Sequence, residues 1–242
     1  MKTYRSLLFN LCFFAWTMLL GLLALPALVL PRGATLAVAR LWARGVLALL
    51  RWLVGLEHEV RGRGRLPTGP VIYAVKHQSA WETIAFSILI PGFAGVYKRQ
   101  LAFIPIFGWF LLRAGMIPVD RGGGSSALRA MLARARRVIG QGRSIVVMPE
   151  GTRTAPGSRR RYHPGIAALY RELGLPVVPV ALNSGVFWGR RSFVKSPGTI
   201  VFEFLEPIEP GLQRRAFMAR LEEDIETAAE RLKREAEAPP KR

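Results

Sequence analysis

Between Leu7 and Leu30 the chain carries no charged residue, and Leu, Phe, Ala, Val, Met and Trp dominate the run. A helix needs roughly 20 apolar residues to cross the hydrocarbon core of a bilayer, so this stretch is long enough. Lys2 and Arg5 precede it and Arg32 follows, so flanking charge gives little orientation signal. A cleaved signal peptide would share the basic start, but its apolar run would be shorter. A secreted product with one cysteine and this much arginine would also be unusual. The segment therefore reads as a retained membrane anchor, with full spanning and re-entry into one leaflet both open.

A second apolar stretch, Ala34 to Leu56, contains Arg40, Arg44 and Arg51. At 100° per residue these arginines fall within about 40° of one another on a helix. Trp42 and Trp52 add side chains that favour the membrane interface. A basic stripe on an apolar helix suits the headgroup boundary. The alternative is a core helix with one solvated face. Pro26 and Pro31-Arg32-Gly33 supply the break between the two segments.

Charge bounds the partners. Lys and Arg number 35 against 16 Asp and Glu, giving a formal net charge of +19. That balance calls for a polyanion: nucleic acid, anionic lipid headgroups or a phosphorylated substrate. No nucleic-acid recognition module or aromatic-basic repeat accompanies it. Cys12 is the single cysteine, so no disulfide can form within the chain. His58, His77 and His163 are too scattered to indicate a metal site.

Residues 1–56 thus form the N-terminal membrane and interfacial helices, and 57–242 a following domain, with Gly, Pro and Arg concentrated from Arg61 to Gly69 at its entry. Short apolar runs at Val71–Val75, Ala94–Tyr97, Met116–Val119, Ser144–Met148, Val177–Leu182 and Thr199–Leu205 predict strands. Helical patterns separate most of them: Ala80–Ile90, Ser126–Ile139 and Gly165–Leu173, with a final helix over Leu212–Glu235. Strands that are apolar throughout and alternate with helices predict an α/β fold, its mixed, mainly parallel sheet flanked by helices.

Chemistry concentrates at two places. Lys76-His77-Gln78-Ser79-Ala80-Trp81-Glu82 lies where a strand ends and a helix begins, the usual ligand position in such sheets. If His77 and Glu82 were both helical they would project about 140° apart. With His77 in the loop and Glu82 in the first helical turn, the pair becomes an oriented base, carboxylate on one ring nitrogen and substrate hydroxyl at the other. A rival reading makes Ser79-x-x-Glu82 a capping box, Ser79 accepting from the Glu82 amide and Glu82 from the Ser79 amide. The second place is Pro149-Glu150-Gly151-Thr152-Arg153, directly after an apolar strand. Gly151 lets its amide approach a ligand, and Arg153 offers a fork suited to phosphate. Glu150 either orders Arg153 or a substrate hydroxyl, or serves as an ion-pair partner.

His77 to Glu82 and Pro149 to Arg153 together resemble the PlsC-like glycerolipid acyltransferases, which include 1-acylglycerol-3-phosphate acyltransferases. Lys98-Arg99-Gln100-Leu101, Gly115 to Arg121 and Val178-Pro179-Val180 resemble further blocks of that family, in the same order. The resemblance covers about residues 66 to 185. It implies that His77 takes the proton of the acceptor hydroxyl as this attacks an acyl thioester, with Glu82 orienting the imidazole. Lys98, Arg121, Glu150, Gly151, Thr152 and Arg153 would hold the glycerol phosphate. The donor would be acyl-CoA or acyl carrier protein, the acceptor lysophosphatidic acid and the product phosphatidic acid. No metal or redox cofactor is implied. The setting would be a bacterial inner membrane rich in anionic lipids, with the catalytic domain on its cytoplasmic side and no nucleic acid partner. A sibling activity on another lyso-lipid, such as lyso-ornithine lipid, is the alternative, and a non-catalytic polyanion binder a remote one. Two positions depart from the family pattern: Glu82 where Asp is usual, and His163 where Lys is common. Arg159 to Arg161 are candidates to compensate for the second. The apolar block Phe103 to Leu112 reads equally as an acyl-chain groove, a lipid-facing surface or ordinary core. Trp188, Arg190, Arg191 and Lys195 lie in a loop that would touch headgroups or be simply solvated.

Overall fold

The computed structural model describes residues 1–120 and 122–238. Two long helices open it, α1 (Lys2–Leu23) and α2 (Arg32–Leu49), joined through a short 3-10 turn at Leu25–Leu28. Only 11% of the most apolar window of α1 is buried, against 28% for α2 with its π-helical extension to Val54. Exposed faces of this apolarity belong in lipid rather than water. Gly55 then turns the chain in a left-handed conformation into the sheet.

Seven strands follow: β1 (Leu56–Arg61), β2 (Ile72–Val75), β3 (Ala94–Lys98), β4 (Ile117–Val119), β5 (Ile145–Val147), β6 (Val177–Leu182) and β7 (Gly198–Phe204). Their spatial order is β1-β7-β6-β2-β5-β3-β4. Strands β6, β2, β5, β3 and β4 are mutually parallel, β7 runs antiparallel to β6, and β1 is parallel to β7. The helices α3 (Trp81–Leu89), α4 (Phe107–Arg113), α5 (Gly124–Ile139), α6 (Gly165–Leu173), α7 (Ser184–Phe187) and α8 (Arg214–Glu237) complete the fold.

Alternation along the central strands builds two cores. Tyr73, Val75 and Val146 join the cluster containing Val46, Leu50, Ile84 and Phe86, on the side of α2 and α3. Ile72, Ala74, Ile145 and Val147 join the opposite cluster with Met131, Ile166 and Phe217 from α5, α6 and α8. The period of two continues past the end of β2. It sends Lys76 toward α8 and His77 toward α3, which decides the chemistry below.

The strand β1 is absent from the sequence-based reading. Its central residues Glu57, His58 and Glu59 are exposed, so no apolar run marks it. It is held instead by six residues of register with β7, and charge suits an edge strand that must not recruit another chain. The block Phe103–Leu112 is not core: Phe103, Ile104, Phe107, Trp109 and Leu112 are all exposed. Arg113 at the end of α4 donates to the Leu28 and Leu30 carbonyls, which places this block beside the turn joining α1 to α2. A single apolar surface results.

Lys195 also differs from expectation. It is buried, with its ammonium 5.2, 5.0 and 5.6 Å from the ring centres of Phe9, Trp188 and Phe193. Its Nζ donates to Asn10 Oδ1 at 2.6 Å and to the Phe193 carbonyl at 2.9 Å. Trp188 and Lys195 therefore dock α1 onto the domain instead of lying in a solvated loop.

Candidate active site

His77 stands in the loop after β2, and Glu82 is the second residue of α3. The loop folds back so that His77 Nδ1 meets Glu82 Oε1 at 2.8 Å. The same oxygen accepts from the backbone N–H of Gln78 at 2.8 Å and of Ser79 at 2.7 Å. Glu82 Oε2 accepts from Ser184 Oγ at 2.8 Å, at the start of α7. Four donors offset the cost of a carboxylate with no solvent exposure. Capping and imidazole pairing are thus one arrangement rather than rivals, although Ser79 Oγ accepts from the Trp81 amide and not from that of Glu82.

With Nδ1 donating to a carboxylate, the neutral tautomer leaves the Nε2 lone pair available, and among the described residues no hydrogen bond occupies it. The side chain is 12% exposed, open on one side only. An oriented base with a free acceptor nitrogen is the chemical capacity of this geometry.

Behind His77 lies a second network, invisible to spacing arguments. Lys76 Nζ is 2.6 Å from Glu150 Oε1 and 2.7 Å from Glu226 Oε1 on α8, with all three side chains buried. Tyr162 Oη donates to Glu226 Oε1 at 2.9 Å. Burial, then the charges of Glu226 and Glu150, push the Tyr162 phenol far above its ordinary range. Glu150 also accepts from Thr154 Oγ1 at 2.7 Å and, through Oε2, from the His77 amide at 2.7 Å. Of the two readings of Glu150, the ion-pair partner is the one the structure shows, and contact with substrate or Arg153 is not. Its carboxylate is instead turned inward and fully engaged, because Lys76 is its partner and no solvent reaches it.

The loop and the base are stitched together, since the Thr154 amide donates to the His77 carbonyl at 2.8 Å. Gly151 adopts φ +67°, and a Cβ there would lie 2.6 Å from the His163 ring, so only glycine fits this turn. His163 is therefore a wall of the loop. Thr152 and Arg153 are half-buried beside it, while Arg159 to Arg161 are exposed.

Sheet order places the remaining candidates. His77, Glu150–Arg153, Lys98 and Asp120 follow β2, β5, β3 and β4, four adjacent parallel strands, at their carboxyl ends. Lys98 is exposed two strands from His77, about 10 Å in strand spacing. Arg121 lies outside the described residues. Ser184, Lys76, Thr154 and Glu226 went unread in the sequence. Lys76 and Thr154 adjoin the two motifs and Ser184 follows the Val178-Pro179-Val180 block by a few residues, whereas Glu226 had no nearby signal.

Fold and site together place a carboxylate-held histidine at the carboxyl ends of parallel strands, in a sheet preceded by two long, exposed apolar helices. Comparison with known proteins gives the class. The family model described as Acyltransferase matches residues 57–183. The chain is 34% identical over 201 residues to the 1-acyl-sn-glycerol-3-phosphate acyltransferase of Pseudomonas aeruginosa, covering 82% of this chain and 78% of that one. It is 29% identical over 189 residues to the lyso-ornithine lipid O-acyltransferase of the same organism, covering 71% and 72%. The crystal structure of the 1-acyl-sn-glycerophosphate (LPA) acyltransferase PlsC from Thermotoga maritima superimposes with a TM-score of 0.77. At 22% identity it covers 96% of this chain and 98% of its own. The chain belongs to the acyltransferase family and is a membrane-associated acyltransferase. A purely non-catalytic role for its charge is set aside.

Proposed function

We propose that this protein transfers a fatty acyl group from a thioester, acyl-CoA or acyl-acyl carrier protein, to the sn-2 hydroxyl of lysophosphatidic acid, yielding phosphatidic acid. The observation that carries the reading is His77, pinned by Glu82 at 2.8 Å with its other nitrogen free, on the same sheet edge as the Arg153 loop. The 34% identity to a 1-acyl-sn-glycerol-3-phosphate acyltransferase supports the acceptor.

In this mechanism His77 Nε2 takes the proton as the hydroxyl oxygen attacks the acyl carbonyl carbon. Glu82 stabilises the imidazolium that forms. The tetrahedral intermediate collapses with cleavage of the C–S bond, and the proton passes from His77 to the departing thiolate. The ester stays on the glycerol, and the free thiol leaves. Arg153, Lys98 and Arg121 bind the acceptor phosphate, with Gly151 and Thr152 shaping the turn that presents it. Residues 1–56 anchor the acyltransferase domain, 57–242, on the cytoplasmic face of a bacterial inner membrane. There it meets anionic lipids and the lyso-lipid, and it needs no metal or redox cofactor.

The test is thiol release from purified protein given lysophosphatidate and an acyl thioester. His77→Ala should lower turnover by at least about a thousandfold while folding and membrane association persist. Turnover close to wild type would remove His77 from the role of base. The identity to a lyso-ornithine lipid O-acyltransferase supports a second acceptor. That lipid has no phosphate, so Arg153→Ala should raise the KM for lysophosphatidate about tenfold or more yet leave a lyso-ornithine activity nearly unchanged.

A further inference from the structure

At the opposite edge of the sheet from His77, a cleft of about 260 Å³ opens between the start of α2 and the end of α5. Its floor is Gly115, with φ +68°. A point at the Cβ position of that glycine lies 3.0 Å from Arg143 Nη1 and 3.3 Å from Arg32 Nε and Cζ. Two guanidiniums therefore meet over one residue that has no side chain to separate them. Arg134 and Arg137 complete the lining.

Four cations converge here without an acid: among the described residues, no Asp or Glu forms an ion pair with any of them. Neutral groups anchor three. Arg143 donates to the carbonyls of Gly92, Phe93, Ala114 and Gly115, Arg134 to that of Pro118, and Arg32 Nη1 to Gln141 Oε1 at 2.6 Å. Arg32 Nε is buried and, among the described residues, has no hydrogen-bond partner. A fixed guanidinium with an unused donor, facing another guanidinium, is an arrangement that an anion completes. Burial, and secondarily the charge of Arg32, lower the pKa of Arg143, the signature of a site that lacks its counter-charge.

Place and size select the anion. Gly115 and Arg143 precede β4 and β5, whereas the candidate catalytic groups follow the strands. Met116 to Asp120 spans about 13 Å of strand, so the cleft is separate from the acceptor site. Arg32 follows the exposed Val29, Leu30 and Pro31, and Leu112 of α4 is exposed beside them. The guanidiniums thus sit where an apolar surface meets water. The volume is below the roughly 300–1,000 Å³ of whole-ligand cavities, so it admits a phosphate ester rather than a nucleotide.

We propose that the cleft formed by Arg32, Arg134, Arg137 and Arg143 binds the phosphate of an anionic membrane phospholipid, seating the α2 end of the anchor at a defined depth. The site is distinct from the one proposed for the acceptor. Its failure would leave the acyl-transfer reading standing, because turnover in detergent is read separately.

The experiment measures partitioning of full-length protein onto phosphatidylcholine vesicles with and without phosphatidylglycerol, at fixed ionic strength. Arg32→Gln/Arg137→Gln removes two cations that carry no backbone carbonyl. It should reduce the preference for phosphatidylglycerol by about twentyfold, at roughly fivefold per cation, with unchanged turnover on detergent-solubilised substrate. Arg214→Gln/Arg215→Gln, on the exposed start of α8, removes equal charge elsewhere and should change it little. Equal losses in both variants would show diffuse attraction and overturn the site, as would no loss in the first. Inorganic phosphate is the third arm. Millimolar phosphate abolishing the preference in wild type but not in the cleft variant would mean a soluble-anion site and overturn the lipid assignment. Should the double variant melt early, Arg137→Gln alone, on the surface of α5, is read by the same criteria with a fivefold expectation.

Discussion

Two lysines of this molecule are almost wholly out of solvent, Lys76 at 1% and Lys195 at 2% exposure, and they are housed in opposite ways. Lys76 sits between two buried carboxylates, Glu150 and Glu226. Lys195 sits among three aromatic rings, the Asn10 side-chain oxygen and the Phe193 carbonyl. The first housing fixes a loop, because Glu150 also holds the His77 amide and Thr154. The second fixes a helix, because Phe9 and Asn10 belong to α1. Full counter-charge suits a position where the proposed base must not move by even an ångström. Ring faces give a gentler hold that leaves the ammonium partly uncompensated. Burial accordingly pushes the Lys195 pKa down to about 8.

The contrast can be broken most strongly at Lys76. Lys76→Met strands two carboxylates in the interior and should cost roughly 3–5 kcal/mol in urea unfolding. A loss below about 1 kcal/mol would mean that water or a proton already relieves the pair. Glu82→Gln comes next. It keeps an acceptor for the amides but removes the charge opposite the imidazolium, so kcat should fall about a hundredfold with KM nearly unchanged. Stability falling while specific activity holds would reduce Glu82 to a helix cap.

At Lys195 the effect is smaller and depends on pH. The folded pKa of about 8 lies below the ordinary lysine value of 10.5, so between those values the unfolded chain binds more protons. Stability then rises as pH climbs through that window, and the penalty is fully present below it. The rise should amount to roughly 3 kcal/mol, and Lys195→Met should abolish it. An unchanged slope in that variant would show the ring faces holding Lys195 at its ordinary pKa. Smallest of all, Ser184→Ala removes one of four donors to Glu82 and should cost about 1–2 kcal/mol of stability. Its turnover should fall only a few-fold, as an unmoved His77 requires.

Much of this architecture could be read directly. The strands β2 to β6 announced themselves as short apolar runs, β7 as one interrupted by Glu203, and α5 and α8 as stripes of period 3.6. Placing His77 in a loop and Glu82 in the first turn of a helix made their pairing possible, with helix capping as the rival reading until the structure joined the two. Where reading failed, the reason was local silence. The strand β1 carries Glu57, His58 and Glu59 on exposed positions, and only its register with β7 makes it a strand. Glu150 was legible as an ion-pair partner or a ligand-binding residue, but its partner Lys76 was not, since it lies 74 positions earlier and points the same way only after the sheet forms.

The sequence by itself determined the periodicities, the anchor and the motif order, because these depend on neighbours within a few residues of one another. Which buried charge meets which was decided by tertiary structure alone. Glu226 reaches Lys76 across 150 residues, and Arg32 reaches Arg143 across 111, because the stacking of α8 and α2 against the sheet sets those distances. Electrostatic energy depends on separation in space and on burial, and neither is written in the spacing of letters.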